Sequence, residues 1–352
     1  MTELPIVGCL LGTAVGDALG LPYEGVPRRR LNRLLGPPDR HRLMLGRGMV
    51  SDDTEHTCIA AQSLIASNFD IDIFTRDFAR RLRWWFAAIP AGIGRATLRA
   101  CLKLWCGVPP QKSGVFSAGN GPAMRSAIFG ATLDDVDVMV TFVRASARIT
   151  HTDVKAEYGA IAVALAAFTA RREAAIDGQQ FVEQLAAIIG SDGAELISLL
   201  RDVVISVANG ESTFDFAANN GHEHGVSGYT YDTVPVSIHA WLSNPLDFRS
   251  AVTSVIRCGG DTDTTAAIVG GIVGTATGES GIPQEWISTM CEWPRSITWM
   301  RRLACQLDAA THDGIAQKPI GLNFPVVFLR NLFFLSVVLV HGLRRLFPPY
   351  AA

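Results

Sequence analysis

The sequence predicts an all-α protein. Apolar residues recur at helical spacing through most of the chain, and period-two strands with hairpin turns are missing. Loops marked by Gly, Pro, Asn and Ser separate the periodic segments. The 352 residues, 48% of them apolar, leave ample material for a buried core.

Residues 1–21, with Gly8, Gly12, Ala14, Gly16, Ala18 and Gly20, read as a helix that other helices approach closely. Asp17 within it and the lack of a basic start argue against a signal peptide. Helical spacing of Cys58, Ile59, Ala61, Leu64 and Ile65 predicts a helix over 54–67. Ile73, Phe74, Phe78 and Leu82 predict one over 71–85. Asp134 and Asp135 suit the N-terminus of a helix over 133–147, and an alanine-rich pattern covers 156–171. Further helices are expected at 181–189, 194–208, 233–241, 248–256 and 264–277, with loops at 36–48, 107–121, 209–228 and 279–283. None of these loops reads as an interdomain linker. Residues 1–320 are therefore expected to form one all-α domain, followed by an apolar tail at 321–352. In that tail Arg330 and Asn331 interrupt the apolar run, and residues 332–340 fall far short of the ~20 needed to span a bilayer. A packed terminal helix is expected; a helix on a membrane surface or in a contact with a second subunit is the alternative.

Net charge and cysteine usage narrow the function. A formal charge of −2 supplies no basic field, which argues against nucleic-acid binding, and Arg28 to Arg30 read as a solvated loop. Seven cysteines without a C-x-x-C pair imply reduced thiols and a cytoplasmic location.

The chemistry is concentrated in two acidic clusters, Ser51-Asp52-Asp53-Thr54 and Gly260-Asp261-Thr262-Asp263-Thr264-Thr265, about 200 residues apart. Carboxylates packed among apolar and small residues are costly unless a cation neutralises them. All the donors are oxygen atoms, which suits Mg²⁺ or Mn²⁺ rather than zinc, and four aspartates suffice for two ions. Each cluster immediately precedes a helix, so plain N-capping is the competing explanation. Asp261-Thr262-Asp263-Thr264-Thr265 also fits the D-x-D-x-T spacing of haloacid-dehalogenase-type phosphatases, but the strand which that motif requires is lacking. Among the remaining motifs, Gly119-Asn120-Gly121-Pro122-Ala123-Met124-Arg125 is a glycine loop running into a helix, suited to a phosphate. Glu24 follows the small-residue helix, His151 stands in Thr150-His151-Thr152-Asp153, and His222-Glu223-His224 reads as a solvated loop.

Together these motifs resemble the ADP-ribosylglycohydrolase family, which includes dinitrogenase-reductase-activating glycohydrolases and ADP-ribosyl-arginine and ADP-ribosyl-serine hydrolases. The likeness runs from the segment Gly8 through Gly20 to about Gly278, and takes in Ser227-Gly228-Tyr229 with Asp232-Thr233. It implies a compact all-helical fold, an orthogonal helical bundle, around a binuclear magnesium or manganese site. By the resemblance Ser51, Asp52 and Asp53 are one set of ligands, with serine where threonine is commoner, and Asp261, Asp263 and Thr264 the other. Glu24, Asp53 and Asp263 take the catalytic positions. Ser117, Gly119, Asn120, Gly121 and Met124 surround the ADP-ribose, with His151 and Tyr229 as further substrate contacts. The implied activity is metal-dependent release of ADP-ribose from an ADP-ribosylated protein side chain, such as arginine or serine, or from a small ADP-ribosyl compound. A non-catalytic ADP-ribose binder or structural relative is the alternative from another class, and a hydrolase of a small N-glycoside is a third reading.

Overall fold

A glycine at every fourth position decides how the first helix packs. α1 (Pro5–Gly20) starts on a proline, tolerated where the N–H has no helical partner, and carries Gly8, Gly12, Gly16 and Gly20 along one line. The computed structural model describes residues 4–173, 175–313 and 316–345. Among them the helices of eight or more residues continue as α2 (Asp52–Ser67), α3 (Ile71–Ala87), α4 (Arg95–Trp105), α5 (Val136–Thr150), α6 (Val154–Ala170) and α7 (Gly178–Ile189). Then come α8 (Ala194–Ala208), α9 (Thr230–Ser243), α10 (Phe248–Cys258), α11 (Thr262–Thr277), α12 (Ile297–Asp313) and α13 (Phe324–Arg344). Extended pairing among the described residues is limited to isolated bridges, including Gly119 with Tyr229 and Val226 with Gly260.

The glycine line of α1 lies directly on α11. A Cβ at Gly12 would stand 2.1 Å from the Gly270 carbonyl oxygen, at Gly16 2.1 Å from that of Ala266, and at Gly20 2.2 Å from that of Thr262. The two helices are thus antiparallel with their backbones in contact, and the C-terminal end of α1 meets the N-terminal end of α11. α6 is buried from Ala156 to Ala170, and amphipathic helices surround these apolar ones. α3, for example, turns Phe74, Phe78, Leu82 and Trp85 inward.

The apolar tail folds back as α13. Val327, Arg330, Asn331, Phe334 and His341 are buried, whereas Leu329, Leu339, Val340 and Leu343 are exposed. The two residues that interrupt its apolar run are its anchors. Arg330 bonds to both carboxylate oxygens of Glu292, and Asn331 donates to the Ala88 carbonyl at 2.9 Å. By length and hydropathy Pro5–Tyr23 and Phe324–Arg344 would both suit a membrane span, but the first is wholly enclosed by the fold.

Candidate active site

Most acids at helix starts are explained by capping. Asp70, Asp135, Asp153, Asp177 and Asp247 each accept a backbone N–H of the helix they open. Ser51 does the same for α2, accepting from the Asp53 amide at 3.3 Å. The remaining acids of the two clusters are different. Asp261 occupies the N-cap position of α11 without a side-chain capping bond, and its Oδ2 instead accepts from Asn120 Nδ2 at 2.7 Å. Capping therefore fails as the explanation of the second cluster.

The α1–α11 contact brings the clusters together. Ser51 Oγ donates to Asp53 Oδ2 at 2.9 Å, and Thr264 Oγ1 approaches the same oxygen at 3.4 Å. Asp53 Oδ1 is buried with no partner. Burial, reinforced by neighbouring carboxylates, raises Asp52, Asp53 and Asp263 well above the usual carboxylate range. Among the described residues no three His, Cys, Asp or Glu side chains form a metal-binding group by themselves. The hydroxyls of Ser51 and Thr264 have to be counted among the donors. The all-oxygen donor set and the orphaned Asp53 oxygen fit a hard divalent cation.

These groups line a cleft of about 600 Å³. Glu24, Ser51, Asp52, Asp53, Asp261, Asp263 and Thr264 supply its acidic and hydroxyl lining. Ser117, Gly119, Asn120, Gly121, Met124 and His151 line it as well. Desolvation, with the charge of Asp261, raises the pKa of Glu24. The glycines matter for space: a Cβ at Gly121 would lie 2.9 Å from His151 Cε1 and one at Gly119 3.2 Å from its Nε2. Burial, together with the Arg125 guanidinium, lowers His151 to about 3, so its ring is neutral near pH 7. Arg125 is itself buried and donates to the Gly121 carbonyl at 3.1 Å, the Ser146 carbonyl at 2.8 Å and Thr150 Oγ1 at 2.8 Å, tying the glycine loop to α5.

Tyr229 is placed apart from the other sequence-derived candidates. It is outside the cleft lining, and its hydroxyl accepts from Lys155 at 2.9 Å, although its backbone pairs with Gly119. His222 and His224 are likewise outside the lining. Other contributors escaped sequence reasoning. Asp17 accepts the Ser51 amide at 3.0 and 2.9 Å and the Thr54 hydroxyl at 2.5 Å, bracing the start of α2 from below. Burial lifts Asp17 to about 7 against these hydrogen bonds. Its signal was an aspartate within an otherwise apolar, small-residue helix. Leu21, Ala91, Phe334 and Val338 give the cleft an apolar section, and Arg95 adds a cation. No local pattern marked those residues.

An all-helical fold that gathers two carboxylate-bearing helix starts and a glycine loop in one cleft has the make-up of an enzyme site, and its relatives give the class, a hydrolase family. The family model for ADP-ribosylglycohydrolase matches residues 4–316, and the chain belongs to that family. Relatives include the ADP-ribosyl-[dinitrogen reductase] glycohydrolase of Rhodospirillum rubrum, 27% identical over 81% of this chain and 89% of that one. The ADP-ribosylhydrolase ARH3 of Gallus gallus is also 27% identical, over 79% of this chain and 87% of its own. A solved structure of an ADP-ribosylglycohydrolase-related protein complex superposes with a TM-score of 0.64 at 26% identity, covering 88% of this chain and 100% of the other.

Proposed function

We propose that this protein is a divalent-metal-dependent hydrolase that cleaves the glycosidic bond between ADP-ribose and its acceptor. The acceptor would be a protein side chain such as arginine or serine, or a small molecule. The observation that carries this reading is the meeting of Asp53 and Thr264 in a cleft that also contains the Gly119–Gly121 loop. Ser51, Asp52, Asp53, Asp261, Asp263 and Thr264 would hold two ions, Mg²⁺ or Mn²⁺. Such ions, when bound, lower the pKa of a coordinated water and supply Lewis acidity.

The chain's own residues do the rest. The glycine loop lets a pyrophosphate approach the backbone, and Arg95 supplies positive charge beside it. His151, neutral, offers a ring nitrogen to the substrate without adding a cation near the reacting carbon. Glu24, at the cleft mouth, accepts the proton of the attacking water on a carboxylate oxygen and, as the bond from the anomeric carbon to the acceptor breaks, that proton passes on to the departing acceptor. Bond cleavage develops positive charge at the anomeric carbon, which the nearby carboxylates stabilise.

The test is incubation of the protein with arginine- and serine-ADP-ribosylated substrates in Mg²⁺, Mn²⁺ or EDTA, with quantification of free ADP-ribose. Metal-dependent release from one substrate is expected and would name the linkage. ADP-ribose binding without release from either would point instead to a binding protein.

A further inference from the structure

α13 lies beyond the residues 4–316 that the family model matches, yet its Arg330 and His341, with the adjoining Arg345, end on the segments that carry the acidic side chains. Arg330 is 1% exposed and donates through Nη2 to the Val50 carbonyl at 2.6 Å, one residue before Ser51. Glu292, held by Arg330 Nε at 2.8 Å, accepts the Val50 amide at 3.1 Å. Val50 is therefore gripped at both backbone groups. Further along the helix Phe334 and Val338 line the cleft. At the C-terminal end His341 Nε2 donates to the Pro22 carbonyl at 2.9 Å, and Arg345 Nη2 donates to the same oxygen at 2.8 Å. Arg345 Nη1 donates to the Glu24 carbonyl at 2.7 Å. The same loop is tied to the second acidic cluster by the Gly25 amide, which donates to the Gly260 carbonyl at 2.8 Å.

We propose that α13 is a positioning element of the active site. Arg330 sets the Ser51–Asp53 segment, and His341 with Arg345 sets the loop that presents Glu24. Apolar packing through Val327 and Phe334 would hold a helix against the fold but would leave its rotation and register loosely defined. Directional hydrogen bonds to backbone atoms beside Ser51 and at Glu24 fix both. The catalytic consequence rests on the hydrolase reading above; the mechanical one does not.

Replacing Arg330 would leave the buried Glu292 without its cation and Glu55 with that of Arg295 alone, and risks unfolding, so the test uses His341→Ala, Arg345→Ala and Arg345→Lys in the full chain. Hydrogen exchange of residues 20–26 is followed without substrate, alongside kcat, KM, the Kd for ADP-ribose and the melting temperature. In the two alanine variants the Gly25 amide is expected to exchange roughly 10-fold faster, because the loop loses one of the two anchors that the end of α13 supplies. A shift of a catalytic group by a fraction of an ångström is expected to lower kcat by about 10- to 100-fold while the Kd for ADP-ribose stays within about threefold. Arg345→Lys, which keeps the charge but has a single donor nitrogen, should recover part of both effects. Unchanged exchange and kcat in the alanine variants would overturn the proposal. So would a fall in kcat matched by equal losses in ADP-ribose affinity and melting temperature, which would make α13 structural only. If the wild-type protein released no ADP-ribose, the exchange data would still decide the positioning claim, and the hydrolase reading alone would fail.

Discussion

At Asp53 one carboxylate oxygen accepts from Ser51 and faces Thr264, while the other is buried without a partner. An anion so placed, with Asp52, Asp261 and Asp17 nearby, destabilises the fold unless a proton or a cation neutralises it. Asp263 shares the burden, with burial and the charges of Glu24 and Asp261 raising its pKa. Replacing Asp263 with Asn is therefore expected to separate function from stability. ADP-ribose release should fall by about 100-fold or more, as when a charge-stabilising group is lost from an active site. The melting temperature in EDTA should stay level or rise, since a repelled carboxylate has become a neutral amide. Turnover near the wild-type rate would remove Asp263 from the ligand set. The sequence exposed this pair of clusters because excess acid at two helix starts exceeds what capping requires. It did not expose Asp17, Glu292 or Arg330, whose roles come from contacts with residues remote in the chain, such as the Val50 carbonyl 280 positions before Arg330.

Helices with a broad apolar face were legible, and those with a narrow one were not. α2, α3, α8 and α11 start or end within two residues of the expected bounds, because large aliphatic or aromatic side chains repeat along them. α4 escaped prediction because its buried face is built from small residues, namely Ala96, Thr97, Ala100 and Cys101 ahead of Leu104. The expected loops 107–121 and 209–228 contain the short helices Pro110–Ser113 and Thr213–Ala217, which are too brief to show a period. The small-residue line of α1 was legible as a close-approach surface, though not its partner. That contact carries its own prediction. A valine at Gly12 would force its side chain into the Gly270 carbonyl 2.1 Å from the Cβ, where backbone cannot yield cheaply. Gly12→Val should cost on the order of 3 kcal/mol or more in urea unfolding. Because the same contact brings Asp53 to Thr264, activity should fall even where the variant remains folded. A stable, fully active variant would mean that the two helices can separate without disturbing the cleft.

Across the whole molecule, buried histidines and buried acids give stability opposite slopes with pH. His239 is fully buried among Ser206, Thr213 and Ser243, and burial lowers it to about 4 from 6.5. Below 6.5 the unfolded chain takes up a proton that the folded state refuses until about 4, so stability is lost as pH falls through that window. The unfolding free energy of wild type minus that of His239→Gln should therefore drop by about 1.4 kcal/mol per pH unit across it. Denaturant titrations at several pH values would check this; a pH-independent difference would show that His239 titrates alike in both states. The acids act the other way. Asp17, raised from 3.8 to about 7, retains its proton in the folded state where the unfolded chain has released it. Its contribution is fully present below 3.8 and disappears as pH rises through about 7, with Asp52, Asp53 and Asp263 shifted in the same direction. On the proposed function a divalent ion would bind the ionised cluster and so compete with those protons. Stabilisation by Mg²⁺ relative to EDTA, about 2.7 kcal/mol when the ion stands at a hundredfold its Kd, should therefore grow with pH. Melting curves near pH 5.5 and near pH 8 are expected to show the larger Mg²⁺ shift at the higher pH, and equal shifts would mean that these carboxylates do not hold the ion.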